Sequence, residues 1–89
     1  MDTVWVIQFN EENVFVTVPD MKVVVDNLIR DRILDGDTAI THEYGGELFP
    51  VSVENRYGDG WKDVVYKLNR EQFNDLFFDL HIEEWFVRK

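Results

Sequence analysis

Asn69-Arg70-Glu71-Gln72-Phe73-Asn74-Asp75-Leu76-Phe77-Phe78-Asp79-Leu80 is the stretch on which the reading of the fold turns. Asn69 followed three residues later by Gln72 is a capping-box variant, in which each side chain satisfies the other residue's backbone N–H. Phe73, Leu76, Phe77 and Leu80 then recur at i, i+3, i+4 and i+7, the spacing of one helical face. The pattern predicts a helix from Asn69 to about Leu80. Within it, Glu71, Asp75 and Asp79 come every fourth residue, and Glu83 continues the series just past the expected helix end. With Phe73 at zero and an ideal turn of about 100° per residue, these three carboxylates fall near about 160°, 200° and 240°. They therefore form a solvent-facing stripe opposite the apolar face, with steps of about 6 Å along the axis. Phe78 projects near about 140°, beside the stripe, either packed under a neighbouring strand or exposed as an interface anchor.

Like charges at this spacing destabilise a helix by about 0.2–0.5 kcal/mol per pair, and negative charge near its C-terminus opposes the macrodipole. Lys67 and Arg70 stand only at the N-terminal end. An earlier helix, predicted to start at Met21 behind Pro19 and the N-cap Asp20, has Met21, Val24, Val25 and Leu28 on its apolar face. There Lys22, Asp26 and Arg30 alternate in sign, the favourable arrangement. One helix is neutralised and the other is not, which marks the second acidic face as functional. Asp59 and Asp63 extend the four-residue register upstream, and Glu11 and Glu12 add charge at a hairpin tip.

Strands fill the rest. Thr3–Phe9 and Asn13–Val18 are rich in β-branched and aromatic residues and read as a hairpin. Asp35-Gly36-Asp37 stops the first helix, and residues 38–44 and 48–54 form a second hairpin around Gly45-Gly46, with Pro50 at an edge or bulge. Tyr57-Gly58-Asp59-Gly60 is a turn, residues 61–67 a fifth strand, and residues 82–87 a last short one. The expected fold is α+β: two helices packed on a mainly antiparallel sheet of about five to six strands, in the order ββαβββαβ, one domain over residues 1–89.

Eighty-nine residues with three Trp, three Tyr and seven Phe can build a core, although chains of this size bury only about 60–65% of their unfolded surface. No Cys is present, which removes disulfides and thiol chemistry and fits a reducing cytoplasm. Met1-Asp2-Thr3 opens no signal sequence, and no apolar run nears the roughly 20 residues of a membrane span, so a soluble, cytoplasmic, unprocessed chain is expected. Eighteen Asp and Glu against nine Lys and Arg give a net charge of −9. Such a surface repels nucleic acid and anionic membranes and steers the chain toward basic proteins.

Small size, absence of Cys, many aromatics and a one-sided acidic helix together resemble the small DNA-mimic inhibitors that bacteriophages make against host nucleic-acid-binding proteins. That class shares no common fold and no residue motif. The resemblance implies an inhibitor of a basic DNA-binding protein in the bacterial host cytoplasm, with a histone-like nucleoid protein of the HU type as one target. The expected partner-binding residues are Glu71, Asp75, Asp79, Glu83, Asp59, Asp63 and Phe78. An antitoxin or immunity protein covering a basic nuclease would use the same charge logic. A structural subunit, self-associating through its aromatic strands as a homodimer, is a third reading.

Catalysis is not expected. His42-Glu43-Tyr44-Gly45-Gly46 lacks the second His of a zinc-protease helix, and the Asp-Gly turns lack the spaced ligands and terminal Glu of a calcium loop. There is no phosphate-cradling Gly loop or nucleophile elbow, and carboxylates on an exposed helix lack a pocket to part their pKa values. No catalytic residue, metal ligand or cofactor is assigned.

Overall fold

A computed structural model describes residues 2–87, so Met1 and the expectation attached to it lie outside the described residues. Strand β1 (Thr3–Phe9) turns through Asn10 and Glu11 into β2 (Glu12–Thr17). Both turn residues have positive φ, 50° and 69°, as a two-residue hairpin turn that follows strand twist requires. β2 carries an irregularity opposite Ile7 and Gln8, where the pairing passes from Phe15 to Asn13. Helix α1 (Met21–Arg30) follows, capped by Asp20, whose side chain accepts from Lys22 N at 3.0 Å. It ends earlier than Asp35. Arg32 takes a left-handed φ of 62°, and the N–H groups of Ile33 and Leu34 both return to the Leu28 carbonyl, closing the helix end.

β3 (Ala39–Tyr44) and β4 (Glu47–Ser52) form the second hairpin, turning at Gly45 and Gly46 with φ of 62° and 84°, values glycine adopts without strain. Ser52 then caps a short helix, α2 (Val53–Tyr57), by accepting from Asn55 N, so residues 53 and 54 leave the expected strand. A 3-10 turn (Gly58–Gly60) leads into α3 (Trp61–Tyr66), where a fifth strand was expected. The helix prevails because Trp61 and Val65 are buried while Asp63 between them is exposed, and a strand would set all three on one face. Helix α4 (Arg70–Leu76) and β5 (Leu80–Phe86) complete the described chain.

The fold is α+β with antiparallel strands, but they make two sheets instead of one. The first has the order β2-β1-β5; the second is the β3–β4 ribbon alone, joined to the rest by a single bridge between Ile40 and Phe77. With α2 and α3 between the ribbon and α4, the order is ββαββαααβ, not ββαβββαβ. The core gathers Ile7 from β1, Val24, Val25 and Leu28 from α1, Ile40 from β3, Phe73 from α4 and Ile82 from β5. From Glu43 to Pro50 every ribbon residue is exposed, so its outer half stands clear of that core. The molecule measures 48 × 27 × 22 Å. No helix among the described residues is long and apolar enough to cross a membrane.

Candidate functional site: an acidic edge

The capping box forms as read: Asn69 Oδ1 accepts from Gln72 N at 2.8 Å, and Gln72 Oε1 accepts from Asn69 N at 2.9 Å. Phe73, Phe77 and Leu80 are buried as the periodicity requires. The helix nevertheless stops at Leu76. Phe77 turns extended at φ −89° and ψ 140° and bridges Ile40, and the hydroxyl of Thr41 donates to the orphaned Asp75 carbonyl at 3.1 Å. Ending here takes Asp79 off the negative end of the helix, while Asp75 stands in its last turn.

The expected ladder is thereby divided. Glu71 and Asp75 remain exposed on α4 at their helical spacing, and Asp79 is exposed in the bend before β5. Glu83 is the correction. It lies on β5 opposite Val6, half-buried, where Trp85 Nε1 donates to it at 2.6 Å and Gln8 Nε2 at 3.4 Å. It is held by its own sheet and does not continue the stripe. Asp59 in the 3-10 turn and Asp63 on α3 are exposed among Lys62 and Lys67. Asp63 sits near enough to Tyr66 to help raise its phenol pKa, in a neighbourhood that also holds Lys22 and Asp26. Neither aspartate extends the stripe at helical spacing, since α3 and α4 are separate helices.

One acidic neighbour was not legible in the sequence. The Asn10 N–H donates to the Asp79 carbonyl at 2.9 Å and ties the β1–β2 turn to the bend after α4. Glu11 and Asp79 consequently line one cleft with Gln8, Asn10, Phe78 and His81. Phe78 is 47% exposed there and so is not packed under a neighbouring strand. The carboxylate pair at Glu11 is set by tertiary pairing, and only the charged hairpin tip hinted at it.

α4 is held against β5 by Asn74. Its amide accepts from Ile82 N at 2.7 Å and donates to Ile82 O at 2.9 Å, and Arg70 adds a bond to the same carbonyl at 3.3 Å. The helix thus closes the side of β5 that β1 leaves open, and it fixes where Glu71 and Asp75 point. Arg70 is spent on the backbone. From Glu71 to Val87 the sequence contains five carboxylates and no Lys or Arg, and residues 2–21 and 33–55 contain none either. The described basic residues fall between Lys22 and Arg32 and between Arg56 and Arg70. Acid and base are segregated by segment, with both hairpins, β5 and all of α4 after Arg70 wholly acidic.

Comparison with protein-family models, curated proteins and solved structures returns no match. Function must therefore be argued from the chain itself. Among the described residues, no group of three or more His, Asp or Glu is placed to hold a metal ion. What the arrangement can do is present fixed negative charge beside an exposed phenyl ring.

Proposed function

We propose that this protein is an inhibitor that binds the basic nucleic-acid-binding surface of another protein. Its carboxylates stand where phosphates would. The observation that carries the reading is charge segregation: Glu71, Asp75, Asp79 and Glu11 are exposed along segments without a single Lys or Arg, while α1 pairs Lys22 with Asp26. Surface carboxylates kept for solubility alone gain nothing from exclusion of counter-charges, and interleaved lysines would stabilise α4 by a few tenths of a kcal/mol each. Phe78 supplies the apolar contact that an anchor at the centre of such an interface provides. Glu83, occupied by Trp85 and Gln8, is left out of the binding set, and Glu11 is added to it.

The partner is a DNA-binding protein with a Lys- and Arg-lined cleft, and the role is that of the small acidic inhibitors of bacteriophages, with an HU-type nucleoid protein as the first target to try. Association should be fast and weakened by salt. In the test, the protein is added to a purified HU-type protein bound to labelled duplex, alongside capture from bacterial lysate with salt elution and mass spectrometry. The expected outcome is release of the duplex and capture of a nucleic-acid-binding protein. Both effects should be lost in Asp75→Lys/Asp79→Lys, whose thermal stability stays unchanged or rises. Retained binding by that double variant, or a capture holding no nucleic-acid-binding protein, overturns the reading.

A further inference from the structure

A cleft of about 460 Å³ opens where the β1–β2 turn meets the bend after α4, and Gln8, Asn10, Glu11, Phe78, Asp79 and His81 line it. The lining holds two carboxylates and a phenyl ring but no Lys or Arg. Its two walls are tied together by the bond from the Asn10 N–H to the Asp79 carbonyl and by the pairing of Phe9 with Leu80. The concavity is therefore formed before anything enters it.

Its acceptors are unspent. Among the described residues, ion pairs join Lys22 to Asp26 and Arg30 to Asp31, and the carboxylates of Glu11 and Asp79 have neither an ion pair nor a hydrogen-bond donor. Gln8 gives its Nε2 to Asn13 at 3.0 Å and to Glu83 at 3.4 Å, which leaves its amide oxygen able to accept. Two like charges in one cleft repel each other, and a cation between them would relieve that. The cation is not a metal ion by this lining, since a phenyl ring offers a metal nothing and no group of three or more described His, Asp or Glu is placed to hold one. An ammonium is a compact, strongly hydrated point charge. A guanidinium is planar, weakly hydrated, carries five donors in a fixed fork and stacks on an aromatic face. Several acceptors around one exposed ring match the guanidinium.

We propose that this cleft is a socket for one arginine side chain, its guanidinium held by Glu11 and Asp79 with its face against Phe78. That the arginine belongs to the DNA-contacting surface of a basic protein rests on the function proposed above, and the socket names the residue such a partner must present. A partner that grips phosphate through lysine alone would meet the acidic edge and leave the socket poorly filled.

Titration of the isotope-labelled full chain at low salt with N-acetyl-arginine amide, and with its lysine and citrulline counterparts, tests this by proton–nitrogen spectra. At millimolar concentrations the arginine compound should move the signals of Asn10, Glu11, Phe78, Asp79 and His81 and leave those of the β3–β4 ribbon in place. The lysine compound should bind more weakly, and the citrulline compound, planar but uncharged, should move none of them. Phe78→Leu should weaken the arginine compound about two- to fivefold, the worth of a cation–π contact at an exposed site. Glu11→Gln/Asp79→Asn, which keeps the Asp79 backbone carbonyl for Asn10, should abolish binding, and Glu47→Gln on the ribbon should change nothing. The dispersion of the same spectra shows that each variant is folded. Lysine bound as tightly as arginine, shifts spread equally over the ribbon, or a Phe78→Leu variant that binds as the parent does overturns the socket. No partner is present in this titration, so a parent that fails to release duplex overturns the proposed function alone, and a failed titration overturns the socket alone.

Discussion

Asp26 receives two donors on the exposed flank of α1, Lys22 Nζ at 2.6 Å and the Tyr66 hydroxyl at 2.5 Å, and so links α1 to α3. The Lys22 bond, then the Tyr66 bond, hold the Asp26 carboxyl below its ordinary 3.8, while the bond to Asp26 raises the Tyr66 phenol above its ordinary 10.0. The signs give two windows. Asp26 stabilises the fold above its ordinary pKa, and that contribution fades as pH falls through its lowered folded value. Tyr66 stabilises it below its ordinary pKa, and that contribution fades as pH rises through its raised value. Tyr66→Phe should therefore lower the melting temperature modestly at neutral pH and flatten its decline above pH of about 10, since the phenol that the bond to Asp26 holds protonated is then gone. A melting series from pH of about 7 to 11 checks this, and an unchanged alkaline decline would exclude Tyr66 as its cause.

Glu11 poses a second question at this scale. Its φ of 69° is a left-handed conformation that suits Gly or Asn and costs other residues about 1–3 kcal/mol. Glu11→Gly should raise stability by up to about 1 kcal/mol, the relief being partly offset by the entropy of Gly. If Glu11 contributes to the acidic edge, the same variant should bind the partner less well. Calorimetric melting and the duplex-release assay separate the two effects. Unimpaired release would remove Glu11 from the interface.

Among the elements, α4 and α3 show what a sequence can and cannot reveal. The inward positions of α4 were legible, because Phe73, Phe77 and Leu80 are buried whichever backbone carries them. The helix end was not, since it is set by Phe77 pairing with Ile40, more than thirty residues away. For α3 the signal was present and outweighed: Trp61, Val64, Val65 and Leu68 follow the helical template, but paired valines favour a strand by local propensity. Of the site, the exposure of Glu71, Asp75 and Asp79 followed from periodicity. The meeting of Asp79 with Glu11 follows from the β1–β5 register, which sets Phe9 opposite Leu80 and brings Asn10 to Asp79, and leaves no trace in composition. The most consequential single side chain between elements is Asn74. Asn74→Ala leaves both backbone groups of Ile82 without these partners and should cost about 1–3 kcal/mol. Urea denaturation measures it, and a loss well below that range would mean that Arg70 and water suffice.

At the scale of the whole molecule, the proposed contact with a basic partner answers salt in one direction. The acidic edge depends on Coulomb attraction to a basic partner and weakens as ions screen it. A titration with salt that reads partner release therefore tests the Coulombic contact without a mutation.

The ribbon from Glu43 to Pro50 has one more consequence, which belongs to hydrodynamics. A particle of 48 × 27 × 22 Å drags more solvent than a sphere of its mass, so a single copy passes through a sieving column ahead of its true weight and tumbles anisotropically in solution. Column elution alone would mistake a single copy for something larger. Frictional ratios and direction-dependent rotational correlation times carry the mark of the ribbon, and trimming residues 43–50 to a shorter turn should bring both toward the values of a rounder body.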